Sequence, residues 1–387
     1  MTDSNKSSFI FKLIPVMLAF FAMGFVDMTG IVSNYVQKDF NLSHTMAGLL
    51  PSMVFFWFLV FSVPTGILMN KIGRRKTVLI SLAVTLIALI LPFVHYNLAF
   101  MLAALSLLGI GNTLMQVSLN PLVSNIVSGD KLASFMTFGQ FVKAIASFIA
   151  PIIAAWAALR FDNWKLLFPI FALEGLLALI ALAKTEVKET QSVSKNSGFR
   201  ESFALLGERT VLLFFIGIIC HVGIDVGTNL TAPKILIERL GWDLTAASAG
   251  ASIYFLFRTI GCFAGSFLLA KINNGVIFAV SVLLIFSACL GLLAAPSKAL
   301  IYLCVAMIGL GNANIFPIIF SRAILSAPGK QNEVSGLMIM GLVGGMIFPP
   351  IMGAASDLFA SQSAAAAVLA LGAAYLLFVI KLTFKKE

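Results

Sequence analysis

KTEVKETQSVSKNSGFRESFALLGER, residues 184–209, is the one long polar stretch in an otherwise oily chain of 387 residues. It holds five cations (Lys184, Lys188, Lys195, Arg200, Arg209), four acids (Glu186, Glu189, Glu201, Glu208) and a Ser/Asn-rich centre. No period in it would bury a core, so it reads as a solvated linker. Its Phe199-Arg-Glu-Ser-Phe-Ala-Leu-Leu segment is expected to form a short helix on the membrane surface. The linker separates two halves of similar length, 1–183 and 210–387.

Outward from the linker, composition sets the solvent. Hydrophobic residues make up 60% of the chain and charged residues 11%, whereas soluble domains carry about a quarter charged residues. A span needs roughly 20 apolar residues, and each half supplies six such runs. They cover 9–32, 46–69, 77–95, 98–127, 134–158 and 163–183, then 210–232, 246–270, 274–294, 297–325, 332–355 and 362–382. Backbone groups must be satisfied internally in hydrocarbon, so continuously apolar runs are helices, whereas barrel strands would alternate. The expectation is an all-α membrane protein of twelve transmembrane helices. The first run is too long for a signal-peptide core and is expected to stay in the protein.

The net charge of +10 invites a nucleic-acid partner, and its distribution rejects one. With both termini inside, 18 Lys and Arg fall on the linker side: 6, 12, 71, 74, 75, 76, 131, 184, 188, 195, 200, 209, 271, 322, 330, 381, 385 and 386. Six lie opposite (Lys38, Arg160, Lys165, Lys234, Arg239, Lys298) and two within spans (Lys143, Arg258). This is the positive-inside bias, and it predicts cytoplasmic termini. Compact loops point to a bacterial inner membrane. The four cysteines lie within spans at unrelated spacings, as packing residues with no metal pattern.

The chemistry sits where polar groups enter spans. Span one carries Gly24-Phe-Val-Asp27-Met-Thr-Gly30. An acid there is expensive in lipid and is expected to face protein or a water-filled cavity, which makes Asp27 the first candidate for ion coupling. Span four reads Gly109-Ile-Gly111-Asn112-Thr-Leu-Met-Gln116-Val-Ser-Leu-Asn120-Pro121. Its amides recur every four residues and so share a face; Gln140 and Lys143 share a face of span five. Such faces suit hydroxyl recognition by hydrogen bonding, although they also hold helices together. In span seven His221 and Asp225 stand one turn apart, a spacing able to relay a proton near neutral pH, and are the second coupling candidates. Lys143 and Arg258 leave three readings open: counter-ions to the acids, ligands for an anionic solute, or packing. Glu174 is read as packing or snorkelling, and Phe316 as a stacking face for a ring. The Gly344-Gly345…Pro349-Pro350 run is expected to bend span eleven.

The halves also repeat. Gly309-Leu-Gly311-Asn312 follows Gly109-Ile-Gly111-Asn112 by 200 residues, Lys271-Ile272 follows Lys71-Ile72 by 200, and Asp225 follows Asp27 by 198. Six spans per half make the repeat parallel, the layout of the major facilitator architecture. Asn312 thereby joins Asn112, Gln116, Gln140, Lys143 and Arg258 as a candidate solute ligand.

At these residues the chain resembles the major facilitator superfamily. Gly66…Asn70…Gly73-Arg74-Arg75 is similar to the signature loop between helices two and three, with Asn70 where the family usually has an acid. Pro64-Thr-Gly-Ile-Leu-Met, Asn120-Pro121, Gln140, Arg258 with Gly261, Pro317-Ile-Ile-Phe-Ser321 and Pro350-Ile-Met-Gly353…Ser356-Asp357 resemble the fucose–proton symporter and glucose/galactose permease group. The departures are Gln116, where that group carries an acid, and Asp27, about one turn from the position (Gly30) of its helix-one acid. The resemblance implies alternating-access transport of a small solute, most simply a sugar with protons, by a monomer, with the site between the halves near the bilayer midplane. The alternative is an organic-anion carrier or exporter using Lys143 and Arg258. No nucleotide-binding motif is present, no cofactor is implied, and three histidines give no nucleophile–base or metal set for an enzyme.

Overall fold

A computed structural model of the chain describes residues 3–42, 44–127, 131–187, 189, 198–242, 247 and 249–383. The middle of the linker, Lys188 and 190–197, thus lies outside the described residues. Among the described residues sixteen α-helices follow in order: α1 Asp3–Met23, α2 Thr29–Asp39, α3 His44–Ile72, α4 Arg74–Val94, α5 Leu98–Ser124, α6 Lys131–Phe161, α7 Leu167–Lys184 and α8 Phe199–Ala204. Then come α9 Arg209–Leu240, α10 Ala249–Leu268, α11 Asn274–Ala294, α12 Lys298–Asn312, α13 Ile315–Leu325, α14 Gln331–Met340, α15 Gly344–Phe359 and α16 Gln362–Thr383. Among the described residues twelve helices are long and apolar enough to cross a membrane. They fall on the twelve runs read from the sequence. α7 ends at Lys184 and α9 starts at Arg209. Large apolar side chains such as Leu173 (62% exposed) and Leu371 (72%) cover surfaces that only lipid can solvate.

The repeat extends into local geometry. α4 and α11 each have 21 residues, and their bounds differ by 200. One loop later, Asn97 accepts from the backbone N–H of Phe100, and Ser297 from that of Leu300. Each is an N-cap satisfying an orphan donor of its helix. A Cβ at Gly109 would lie 2.9 Å from the Val54 carbonyl oxygen, and one at Gly309 would lie 2.6 Å from that of Tyr254. Small residues at both positions let backbones meet.

Among the described residues three spans are interrupted. Span one tightens into a 3-10 turn, Gly24–Met28, between α1 and α2. Span ten breaks between α12 and α13, and span eleven tightens at Gly341–Val343 between α14 and α15. The irregularity expected from the Gly344-Gly345…Pro349-Pro350 run thus falls at its glycine end. Both prolines continue α15, and the irregular turn lies beside the glycines. There Gly344 lies against the Ile219 carbonyl, leaving no room for a Cβ.

Packing groups the chain into two compact units. The first comprises Met1–Ser128, Gly139–Phe203 and Ala327–Met340; the second comprises Gly129–Phe138, Ala204–Ser326 and Gly341–Glu387. Within the first, Arg74 is a buried hub. It donates through Nε to Asn332 Oδ1 (2.8 Å), through Nη2 to Gln331 Oε1 (2.7 Å) and through Nη1 to Asn125 Oδ1 (2.7 Å) and the Pro121 carbonyl (3.1 Å). Asn70 donates to Glu333 Oε1 (2.6 Å) and accepts from Asn332 Nδ2 (2.7 Å). The carboxylate at this junction thus comes from α14. Glu189 accepts from the N–H groups of Arg74 and Arg75 at 2.7 and 2.8 Å, capping α4. The turn before it needs Gly73, whose φ is +89°.

Candidate functional site

The first candidate cluster forms at the break in span one. The turn Gly24–Met28 carries Asp27, whose side chain is 44% exposed. Ser147 Oγ donates to Asp27 Oδ2 at 2.5 Å, and Lys143 Nζ lies 3.8 Å from the same oxygen. Both come from α6, one turn apart. Gly24 allows this approach, since a Cβ there would sit 2.5 Å from the Lys143 carbonyl oxygen. From α5, Asn112 Nδ2 donates to the Met23 carbonyl at 2.7 Å. Asn112 Oδ1 accepts from Gln116 Nε2 at 2.7 Å, and Asn120 Nδ2 donates to the Gln116 carbonyl at 2.8 Å. Gln140, three residues before Lys143 on α6, is half-buried.

The second cluster lies in the other unit. Asp225 on α9 is 14% exposed; its Oδ2 is 3.1 Å from Arg258 Nη1, and its Oδ1 accepts from the Tyr254 hydroxyl at 2.5 Å. Tyr254 oxygen accepts from Asn312 Nδ2 at 2.8 Å, and Asn312 Oδ1 lies 2.8 Å from His221 Nδ1. These roles fix one another. The single Tyr254 proton goes to the carboxylate, so its oxygen takes the amide N–H. Asn312 Oδ1 then faces His221, which must donate from Nδ1. His221 and Asp225 therefore join through Asn312 and Tyr254, because the intervening amide and phenol fill the reach between them.

The structure thus gives each of the two coupling candidates a cation, Lys143 for Asp27 and Arg258 for Asp225. The pattern of intramembrane charges leaves out Ser147 and Tyr254. Each stands four residues from its cation, on the same helical face, and that spacing is the signal that finds them. Phe316 is buried, with its ring 6.3 Å from that of His221. Both carboxylate oxygens of Glu174 are buried with no hydrogen-bond partner among the described residues.

Among the described residues twelve apolar helices fall in a parallel repeat, with a charged pair inside each unit. The chain belongs to the Major Facilitator Superfamily, whose model matches residues 16–349. It is 26% identical over 379 residues to a glucose/galactose transporter of Brucella abortus biovar 1 (strain 9-941), covering 92% of this chain and 90% of that protein. It is 25% identical over 406 residues to a putative glucose/galactose transporter of Helicobacter pylori (strain J99 / ATCC 700824), covering 99% of each. Among solved structures it shares its fold with FucP, the E. coli fucose:proton symporter, in the outward conformation. There the TM-score is 0.83 at 19% identity, covering 98% of this chain and 100% of FucP.

Proposed function

We propose that this protein is a secondary active transporter that carries a sugar or sugar-like solute by alternating access, driven by a proton gradient. It works as a monomer of two six-helix halves in a bacterial inner membrane. The observation that carries the coupling is the Asp27 cluster: an exposed carboxylate on a broken apolar helix, with a loose lysine and one hydroxyl donor. An acid so placed can take up and release a proton as its surroundings change. Asp225 with His221 is the second coupling group. Gln140, Lys143 and Arg258 are the polar groups proposed to meet the solute, and the names of the two relatives favour a hexose.

The test is uptake into proteoliposomes with an imposed proton gradient, using glucose, galactose and fucose. The wild type should concentrate at least one of them. Asp27→Asn should lose accumulation while retaining exchange of internal for external sugar. Accumulation by Asp27→Asn at the wild-type level would remove Asp27 from coupling.

A second reading, an organic-anion carrier, rests on the exposure of Lys143 (17%) and Arg258 (31%). Their pairing with acids favours counter-ions. If they hold a substrate charge, Lys143→Gln or Arg258→Gln removes a contact of about 1.5–3 kcal/mol, a roughly ten- to hundred-fold loss of affinity. Binding titrations at two pH values separate the readings. Counter-ions give a changed pH dependence with the sugar still bound. A pH-independent collapse in affinity for an acid, with no response to neutral sugars, selects the anion carrier.

A further inference from the structure

The two acids are held by the same construction, and the amides that could hold a solute are consumed in building it. Asn112 and Asn312 are 200 residues apart, and the residues they bond, Met23 and His221, are 198 apart. Each of those residues stands four before its acid. The same asparagine of each repeat therefore grips the turn that presents the carboxylate. In the first unit the grip is on a main-chain carbonyl. Met23 is the N-cap of the 3-10 turn bearing Asp27, and a carbonyl has a second lone pair for such a donor. In the second unit the acid-bearing helix is unbroken. There Asn312 works through side chains, its Oδ1 accepting from His221 Nδ1 and its Nδ2 donating to the Tyr254 oxygen, whose hydroxyl donates to Asp225.

Burial separates these groups from those a solute meets. Asn112 is 2% exposed, Asn312 1% and Tyr254 0%, whereas Asp27, Lys143 and Arg258 keep 44, 17 and 31% of their side chains accessible. A ligand reaching Asn112 or Asn312 would have to displace bonds that are already made, and a buried amide stripped of its partner is costly. An acid tied to a fixed turn keeps a defined geometry to its cation, and that geometry sets its charge-assisted contacts.

We propose that Asn112 and Asn312 are positioning residues for Asp27 and Asp225, and that Tyr254 is the positioning residue through which Asn312 acts on Asp225. The proposal rests on the reading of Asp27 and Asp225 as coupling groups only for its effect on transport; the geometry is testable without it.

The experiment uses Asn112→Leu, Asn312→Leu and Tyr254→Phe, the last removing one oxygen and keeping the ring. Infrared difference spectra identify the carboxylate bands of Asp27 and Asp225 as those lost in Asp27→Asn and Asp225→Asn. The expected result is that the Asp225 band shifts in Tyr254→Phe and Asn312→Leu, and the Asp27 band in Asn112→Leu. In proteoliposomes the apparent sugar affinity in exchange should stay within about threefold while the accumulation ratio falls, by roughly tenfold in Tyr254→Phe, which removes one hydrogen bond to a charged group. Unmoved bands in Tyr254→Phe overturn the proposal. So does a tenfold weaker affinity with accumulation intact, which makes the amides ligands, and so does an equal loss of exchange and accumulation, which makes their role merely structural. Shifted bands alongside full accumulation in Asp27→Asn and Asp225→Asn leave the positioning standing and remove the coupling reading instead.

Discussion

Tyr96 shows how a single side chain ties loops together at the end of the bundle opposite the linker. Its hydroxyl donates to Asp39 Oδ2 at 2.5 Å, and Trp164 Nε1 donates to the same oxygen at 2.9 Å. Lys165 Nζ sits 4.2 Å from the Tyr96 ring centre, and Trp164 stacks on Tyr35 at 4.9 Å. Burial first, then the hydrogen bond and charge of Asp39, raise the Tyr96 pKa above the ordinary value of 10.0. The folded protein thus favours the neutral phenol. This contribution is complete below the unfolded pKa and is lost only as pH rises through the higher folded value. Alkaline absorbance titration of wild type against Tyr96→Phe should show no extra tyrosinate at about pH 10, where an ordinary tyrosine is half ionised. A normal tyrosinate signal there would mean that the Asp39 contact is not held.

At the level of elements, the junction of α3, α4, α5 and α14 is a polar seam in an apolar bundle. Position 70 carries an amide where the family usually has an acid, and the acid is supplied by Glu333 at 2.6 Å. Two carboxylates at that spacing cannot both ionise. Asn70→Asp should therefore destabilise the seam by about 1–3 kcal/mol, the range for a buried polar group losing its partner. Melting in detergent would register this as a lower Tm. Adding Glu333→Gln restores one amide and one acid with their positions exchanged, and should recover most of the loss. A double variant no more stable than Asn70→Asp would show that this pair does not fasten α14.

For the whole molecule, orientation follows from the 18 linker-side cations against six opposite them, a bias that acts through short loops next to spans. The exposed Arg200 on α8 is a suitable reporter, since all four native cysteines are buried. Arg200→Cys should be protected from an impermeant thiol reagent in intact cells and react once the membrane is opened. Ready labelling in intact cells would invert the topology.

Sequence alone determined the twelve spans, the parallel repeat and the list of charges that must be shielded from lipid. These are legible because hydrophobic length, charge bias and glycine spacing are local properties that the bilayer reads directly. Tertiary structure alone decided the partners. Lys143 with Asp27, Arg258 with Asp225 through a face shared with Tyr254, Asn112 on the Met23 carbonyl, and Glu333 with Asn70 across 263 residues depend on which helix faces meet. It also decided that span one breaks beneath its acid and that span eleven breaks at Gly341–Val343 ahead of its prolines. A helical period places residues on a common face, but only packing sets what that face touches, because each contact depends on backbones that approach from distant parts of the chain.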